Sequence, residues 1–155
     1  MPNNKVYQLI IYGINGMIRE FQRAYSWLSN FVLVYVIYED VAYRSVEVAY
    51  QAAKCADINQ RRFFEGVNSG QAKRLGRNIT IRKDWDEVRD QVMFDLLTQK
   101  FNRLPFQKLL RETENQEIIE GNYWHDNYWG NCTCNKCESI KGQNKLGKMI
   151  MQIRG

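Results

Sequence analysis

Three stretches of the chain hold residue types that could do chemistry. In Ser45–Asp57, SVEVAYQAAKCAD, the side chains of Glu47, Gln51 and Lys54 fall within roughly 60° of one another on a helical wheel, with Tyr50 beside them. Val46, Val48, Ala49, Ala52, Ala53, Cys55 and Ala56 cover most of the remaining circumference, and a helix apolar nearly all round is a buried one. Ser45 is a good cap for its first turn. A carboxylate and an ammonium on such a helix need partners or a wet cavity, because an unpaired buried charge costs several kcal/mol. Glu47 and Lys54 lie two turns apart, about 10 Å along the axis, too far to serve each other directly. Either this stripe lines a cleft and faces a ligand, or it is the solvated stripe of an ordinary amphipathic helix.

The second stretch is the loop Gly121–Gly130, GNYWHDNYWG, which carries Trp124, Trp129, Asp126 and His125, the single histidine. Aromatic rings stack on the face of a base or sugar, and a carboxylate between them can work at an anomeric carbon. The bland alternative is a loop plugged into the core by its rings, with Asp126 serving a turn and His125 a structural hydrogen bond. The third is Cys132-x-Cys134-x-x-Cys137, whose clustered thiols have the spacing of ligands for a soft cation such as zinc. A fourth ligand is not adjacent; Cys55 or His125 is the candidate. No P-loop, G-x-G-x-x-G or G-x-S-x-G motif occurs, which argues against the commonest nucleotidase, dehydrogenase and hydrolase designs.

These residues must be positioned by a chain of 155 residues, enough for one domain with a proper core, 45% apolar and 25% charged as in soluble proteins. Neither a membrane span nor a signal peptide is legible, so the expected compartment is the cytosol. Net charge of +5 favours polyanionic partners such as nucleotides or nucleic acid, although solubility alone would account for it. Lys73, Arg74, Arg77, Arg82 and Lys83 form a basic segment that could meet phosphates or simply be solvated.

Strands are expected at Val6–Tyr12, ending in the turn 13–16 and pairing back through Met17–Gln22, then at Val32–Tyr38 and Val41–Tyr43 around the acidic turn Glu39-Asp40. After the Ser45 helix, Ile58–Val67 reads as a helix closed by Asn68-Ser69-Gly70. Asp84 should cap the longest helix, Trp85–Arg103, with Val88, Val92, Met93, Leu96, Leu97, Lys100 and Phe101 facing the core. Pro105 ends it and opens a short helix, Phe106–Glu112. Gln116–Glu120 is expected to be extended, and Asn144–Arg154 to be a closing helix with Leu146, Met149, Ile150 and Ile153 inward.

Taken in order, Ile18-Arg19 with Phe21, Leu28-Ser29-Asn30-Phe31, Glu47 with Tyr50–Lys54, and Ala72–Arg77 resemble the NADAR, or YbiA-like, N-glycosidases. The likeness continues through Trp85, Lys100-Phe101, Glu120-Gly121-Asn122, Trp124, Asp126, Trp129-Gly130, Gly142-x-Asn144-x-Leu146-Gly147, Met151 and Arg154. It implies one mainly helical α+β domain over 1–155, with a small β-sheet, that cleaves an N-glycosidic bond without a required cofactor. Substrates known in the family are phosphoribosylamino-pyrimidine intermediates of riboflavin synthesis and ADP-ribose on guanine of nucleic acid. Two positions depart from the family: Val48 stands where histidine is common, and Glu114 where a glycine follows the threonine.

The resemblance implies Glu47 and Asp126 as the acid pair and Lys54 as a catalytic amine, either a Schiff-base nucleophile with a lowered pKa or a phosphate neutraliser. Trp85, Trp124 and Trp129 would stack on the base, Arg19, Lys73 and Arg77 meet phosphates, and Ser29 and Asn30 bond ribose hydroxyls. Phe31, Tyr50, Gln51, Gly130 and Asn144 complete the expected substrate contacts. The rival reading is a non-catalytic nucleotide- or nucleic-acid-binding module whose cysteine loop is held by zinc.

Overall fold

The helix expected after Ser45 forms as α1, Val46–Ala53, in a computed structural model that describes residues 16–155. Ser45 is extended, its hydroxyl accepts the N–H of Val48 at 3.1 Å, and it lies 2.7 Å from the hydroxyl of Ser69. Ser69 in turn donates to the carbonyl of Phe31 at 3.0 Å, so one buried serine pair ties three segments together. The helix stops at Ala53, earlier than the apolar run suggests. Cys55 leaves it to pair with Ile81, and Asp57 turns extended to cap the next helix through the N–H of Asn59.

The backbone groups into two compact units, and the one spanning Asn30–Lys108 is built around α1. The other elements of this unit are β2 (Val36–Tyr38), β3 (Val41–Tyr43), α2 (Ile58–Arg61), α3 (Ser69–Leu75) and α4 (Trp85–Phe101). β2 and β3 are an antiparallel hairpin whose turn residues Glu39 and Asp40 have φ of 44° and 67°, the double left-handed geometry of a two-residue hairpin. Only three residues of the expected Val32–Tyr38 strand pair, and Leu33, Tyr35 and Ile37 are exposed. The Gln99 side chain on α4 takes up both the N–H and the C=O of Ile37, at 2.7 and 2.8 Å, which covers the strand edge.

Two helix boundaries differ from the sequence reading. The segment from Ile58 shortens to α2 and a 3₁₀ turn, Arg62–Phe64, before Glu65 becomes extended and Gly66 takes φ of 71°. Asn68-Ser69-Gly70 then opens a helix rather than closing one. Asn68 accepts the N–H of Gln71, and the Gln71 side chain accepts the N–H of Asn68, both at 2.9 Å, a reciprocal capping box. Asp84 does not cap α4 with its side chain, because both carboxylate oxygens hold the Arg82 guanidinium, at 2.6 and 2.9 Å. Along α4, Val92, Met93, Leu96, Leu97, Lys100 and Phe101 are buried as the spacing requires. Burial pushes the Lys100 amine down to about 7, and its Nζ lies 5.1 Å from the ring centres of both Phe101 and Phe106.

The second unit holds 16–29 and Leu109–Gly155. Its strands pair as two short parallel ladders, β1 (Met17–Ile18) with β4 (Glu117–Ile118) and β5 (Gly121–Asn122) with β6 (Asn131–Cys132). The small β content expected takes the form of three two-stranded sheets among the described residues. The expected strand Val6–Tyr12 lies outside the described residues, and β1 finds its partner in β4. Helix α5, Phe106–Glu112, follows Pro105, and α6, Lys145–Arg154, packs on β4 with Leu146, Gly147 and Ile150 buried. Arg154 closes α6 by donating to the Thr113 hydroxyl and the Gln116 carbonyl, at 3.0 and 2.8 Å. Among the described residues no helix is long and apolar enough to cross a membrane.

Glu114 follows α5 with φ of 52°, in the left-handed region that costs a residue bearing Cβ roughly 1–2 kcal/mol. This is the position where the family pattern has glycine, so the departure carries backbone strain. Glu114→Gly is expected to raise stability by up to about 1 kcal/mol after the glycine entropy cost, read as a higher urea midpoint at unchanged m-value.

Candidate active site

Within the α1 unit, the stripe inferred from the sequence is assembled. Glu47 is half-buried, its Oε1 accepts the Gln51 side-chain amide at 2.9 Å, and its N–H donates to the carbonyl of Asn30 at 3.0 Å. Gln51 is only 6% exposed, and a Cβ at Gly76 would collide with its amide. Glycine at the end of α3 is therefore what lets that helix terminus close over Gln51. The buried Oε1 of Gln51 has no protein partner. Val48, at the position where histidine is common in the family, is fully buried, and its N–H is consumed by the Ser45 cap.

Lys54 follows the last turn of α1 with its Nζ 5.0 Å from the centre of the Tyr50 ring, and Tyr50 packs at 5.0 Å against Trp85 on α4. Burial lowers the Lys54 pKa, and the like charges of Lys73 and Arg89 lower it further while Glu47 opposes them. Lys73 also sits with Nζ 5.7 Å from the centre of the exposed Phe31 ring. The structure thus gathers Glu47, Tyr50, Gln51, Lys54 and Trp85, with Lys73 in electrostatic reach. Arg77 is exposed just beyond Gly76, and Asn30 donates its amide to Met93 Sδ at 3.6 Å. Arg89 was not singled out from the sequence, although it lies one turn beyond Trp85 on the same face of α4, a legible spacing.

In the other unit, Asp126 is a turn carboxylate. Its Oδ1 accepts the N–H groups of Tyr128 and Trp129, at 3.0 and 2.9 Å. Asn122, buried on β5, donates to the Asp126 carbonyl and to Glu120 Oε2, at 2.8 and 3.0 Å. Gly130 is buried where a Cβ would strike Glu120 and Asn122. Asn144, left-handed at φ of 48°, accepts the Glu120 N–H at 3.0 Å and donates to the Ile118 carbonyl at 2.9 Å, so both ends of its amide serve the backbone. Trp129 packs edge-to-face on Tyr128 at 4.9 Å, and Trp124, 47% exposed, does so on Tyr123 at 5.2 Å. Arg19 is exposed beyond β1, and Ser29 follows the 3₁₀ turn Arg23–Leu28, its N–H bonded to the Ser26 carbonyl. Glu120 is a half-buried acid whose motif was visible in the sequence but given no role.

The cysteine loop also closes. The donor atoms of His125, Cys132, Cys134 and Cys137 all lie within 4.8 Å of one another, and these four could hold a metal ion. His125, not Cys55, is the fourth member. A separate pocket of about 230 Å³ in the α1 unit is lined by Tyr38, Tyr43, Arg61, Arg62, Glu39 and Glu65 among others, and contains none of the expected site residues. There the Arg61 charge is met by Glu39 and by the Tyr38 ring.

A family model described as the NADAR domain matches residues 18–155. The chain belongs to the NADAR family. An N-glycosidase of Nostoc punctiforme is 31% identical to it over 137 residues, covering 84% of each chain. N-glycosidase YbiA of Escherichia coli K12 is 31% identical over 134 residues, 84% of this chain and 80% of its own. The chloroplastic riboflavin biosynthesis protein PYRR of Arabidopsis thaliana shares 33% identity over 75 residues, 48% of this chain and 12% of its own. The NMR structure of E. coli YbiA superimposes with a TM-score of 0.75 at 29% identity, covering 90% of this chain and 83% of that one. This NADAR chain is accordingly α+β and mainly helical, as the resemblance implied.

For Asp126 the two roles separate by substitution. Asp126→Ala removes the acceptor of two backbone amides and is expected to cost about 1–3 kcal/mol in urea unfolding, whereas Asp126→Asn keeps an oxygen there and should cost well under half of that.

Proposed function

We propose that this NADAR chain is a cytosolic N-glycosidase that hydrolyses the C–N bond between a phosphorylated ribose and an amino group on a nucleobase or pyrimidine. The two substrates carried by the resemblance, ADP-ribose on guanine of nucleic acid and a phosphoribosylamino-pyrimidine, share this feature. The single observation supporting the reading most strongly is the α1 stripe, where Lys54 is desolvated among cations while Glu47 is held by Gln51. The N-glycosidase names of its relatives support the same class.

In the proposed course, the nitrogen lone pair breaks the C1–O4 bond and the N–H proton passes to O4, giving an open-chain imine at C1. Neutral Lys54 adds to C1, and the amine of the base leaves with the C–N electron pair and a proton from the Lys54 nitrogen, giving a lysine imine. Glu47 then takes a proton from water as the hydroxide adds to C1 and passes it to the Lys54 nitrogen; the C–N bond breaks with its electron pair going to that nitrogen, which takes the hydroxyl proton, releasing the C1 aldehyde and the free amine. A lysine can do this only unprotonated, and a lowered pKa raises the neutral share at any given pH. Trp85 and Tyr50 offer an aromatic wall, and Lys73, Arg77 and Arg89 cationic charge for phosphate. Asp126 is proposed as a second acid on the resemblance alone.

Incubation with ADP-ribosylated guanosine oligonucleotides and with the riboflavin intermediates, followed by mass spectrometry, tests the activity directly. Glu47→Gln and Lys54→Met are each expected to lower turnover by about 10²–10⁴-fold with unchanged circular dichroism. Borohydride should trap the sugar on wild-type chain but not on Lys54→Met. Loss of turnover in a folded Asp126→Asn would place that acid in the chemistry, and full activity would leave it to the turn. Binding that weakens steeply with salt and yields no product would favour the non-catalytic module instead.

The pH profile follows from the same charges. Activity should fall as pH drops through the Lys54 pKa, because the amine becomes protonated. Lys73→Met removes a like charge and should move this limb to higher pH; Glu47→Gln removes the charge that favours the ammonium and should move any residual limb lower.

A further inference from the structure

We infer that His125, Cys132, Cys134 and Cys137 form a closed, tetrahedral zinc site that fixes the loop between β5 and β6. The donor set is three thiols and one imidazole nitrogen, a combination that suits zinc, and four protein ligands leave no open position, as in structural rather than catalytic zinc sites.

The spacing fits the ion. A tetrahedron with Zn–S of about 2.3 Å and Zn–N of about 2.0–2.1 Å has S···S edges of about 3.8 Å and N···S edges of about 3.6 Å. His125 Nδ1 lies 3.3 Å from Cys134 Sγ and 3.4 Å from Cys137 Sγ, and no donor pair exceeds 4.8 Å. The sequence places these ligands on rigid turns. Cys132 ends β6, Cys134 caps the 3₁₀ turn Asn135–Cys137, and Cys137 ends that turn. His125 reaches them with φ of 71°, in the left-handed region.

Polar groups of the loop face two of the sulfurs. Backbone N–H groups of Cys134 and His125 are directed at the Cys132 sulfur, and the Asn127 side chain at the Cys137 sulfur. Asn127 Oδ1 also accepts the N–H of Cys132 at 2.9 Å, so this residue braces two ligands. The regular pairing of this loop is one two-residue ladder, and side-chain bonds to the backbone from Asn122, Asp126 and Asn127 brace the segment that the ion would cross-link. Because His125 precedes Asp126, the ion would anchor the segment that carries Trp124, Asp126 and Trp129. The inference does not depend on the glycosidase reading.

The test uses the full chain purified with zinc present. Elemental analysis should find about one zinc per chain. Replacing it with Co²⁺ should give the intense visible bands of a tetrahedral, thiolate-rich centre, and treatment with a strong chelator should lower the melting temperature. Cys134→Ser and His125→Ala should lose stoichiometric zinc, Asn127→Ala should bind it about 10–100-fold more weakly, and Cys55→Ser should keep it. If a ligand variant fails to fold, the cobalt spectrum of the wild-type chain decides. Zinc-free wild-type chain that takes up no cobalt and melts identically with chelator, or stoichiometric zinc lost from Cys55→Ser but kept by His125→Ala, would overturn the site.

Discussion

The burial of one amine, Lys54, with a carboxylate and two cations acting on it, is the constraint on which the proposed chemistry depends. Lys54 closes a helix whose other faces are buried, and its ammonium is disfavoured first by burial and then by Lys73 and Arg89. In water a lysine near neutral pH is almost wholly protonated and a poor nucleophile. Around α1, burial shifts that balance toward the neutral amine. The Ser45–Ser69 pair fixes where α1 starts relative to α3, and Gly76 lets the far end of α3 close over Gln51. Gln51 in turn donates to Glu47, whose negative charge opposes the shift.

The second unit uses a different economy. Among the described residues its secondary structure is slight, two ladders of two residues each, two 3₁₀ turns, most of α5 and the terminal helix α6, and much of the order comes from asparagines and a carboxylate bonded to backbone. Asn144 stitches Glu120 to Ile118, Asn122 stitches Glu120 to the Asp126 turn, and Asp126 gathers two amides. Each of these side chains satisfies main-chain groups that a longer strand or helix would have satisfied itself. A motif rich in Asn, Gly and acid can therefore mark scaffold as readily as substrate contact, and the same residue can serve both.

Much of this was legible in the residues. The α1 helix was readable because cap, apolar periodicity and the absence of breakers agreed, and its polar stripe followed from the period alone. The long helix α4 was readable from its apolar periodicity, although Asp84 holds Arg82 instead of capping it. Asn68-Ser69-Gly70 misled because its composition is that of a turn, yet Asn68 and Gln71 have the spacing of a capping box. The strands were overcalled or merged because ladders of two or three residues carry no alternation to detect. The choice of His125 over Cys55 as the fourth member of the thiol cluster needed a left-handed backbone at His125, which no pattern of residue types encodes. Arg89, one turn beyond Trp85 on the same face of α4, was legible by its spacing, but its charge bears on Lys54 only through the fold.

The most direct measurement is an NMR titration of the Lys54 side-chain amine in the intact protein, followed through its terminal methylene or ¹⁵N shift. The expected result is a midpoint below that of the chain's exposed lysines, falling further when Glu47 is replaced by Gln. A midpoint indistinguishable from the exposed lysines, unmoved by that substitution, would contradict the claim that this fold prepares Lys54 as a neutral nucleophile.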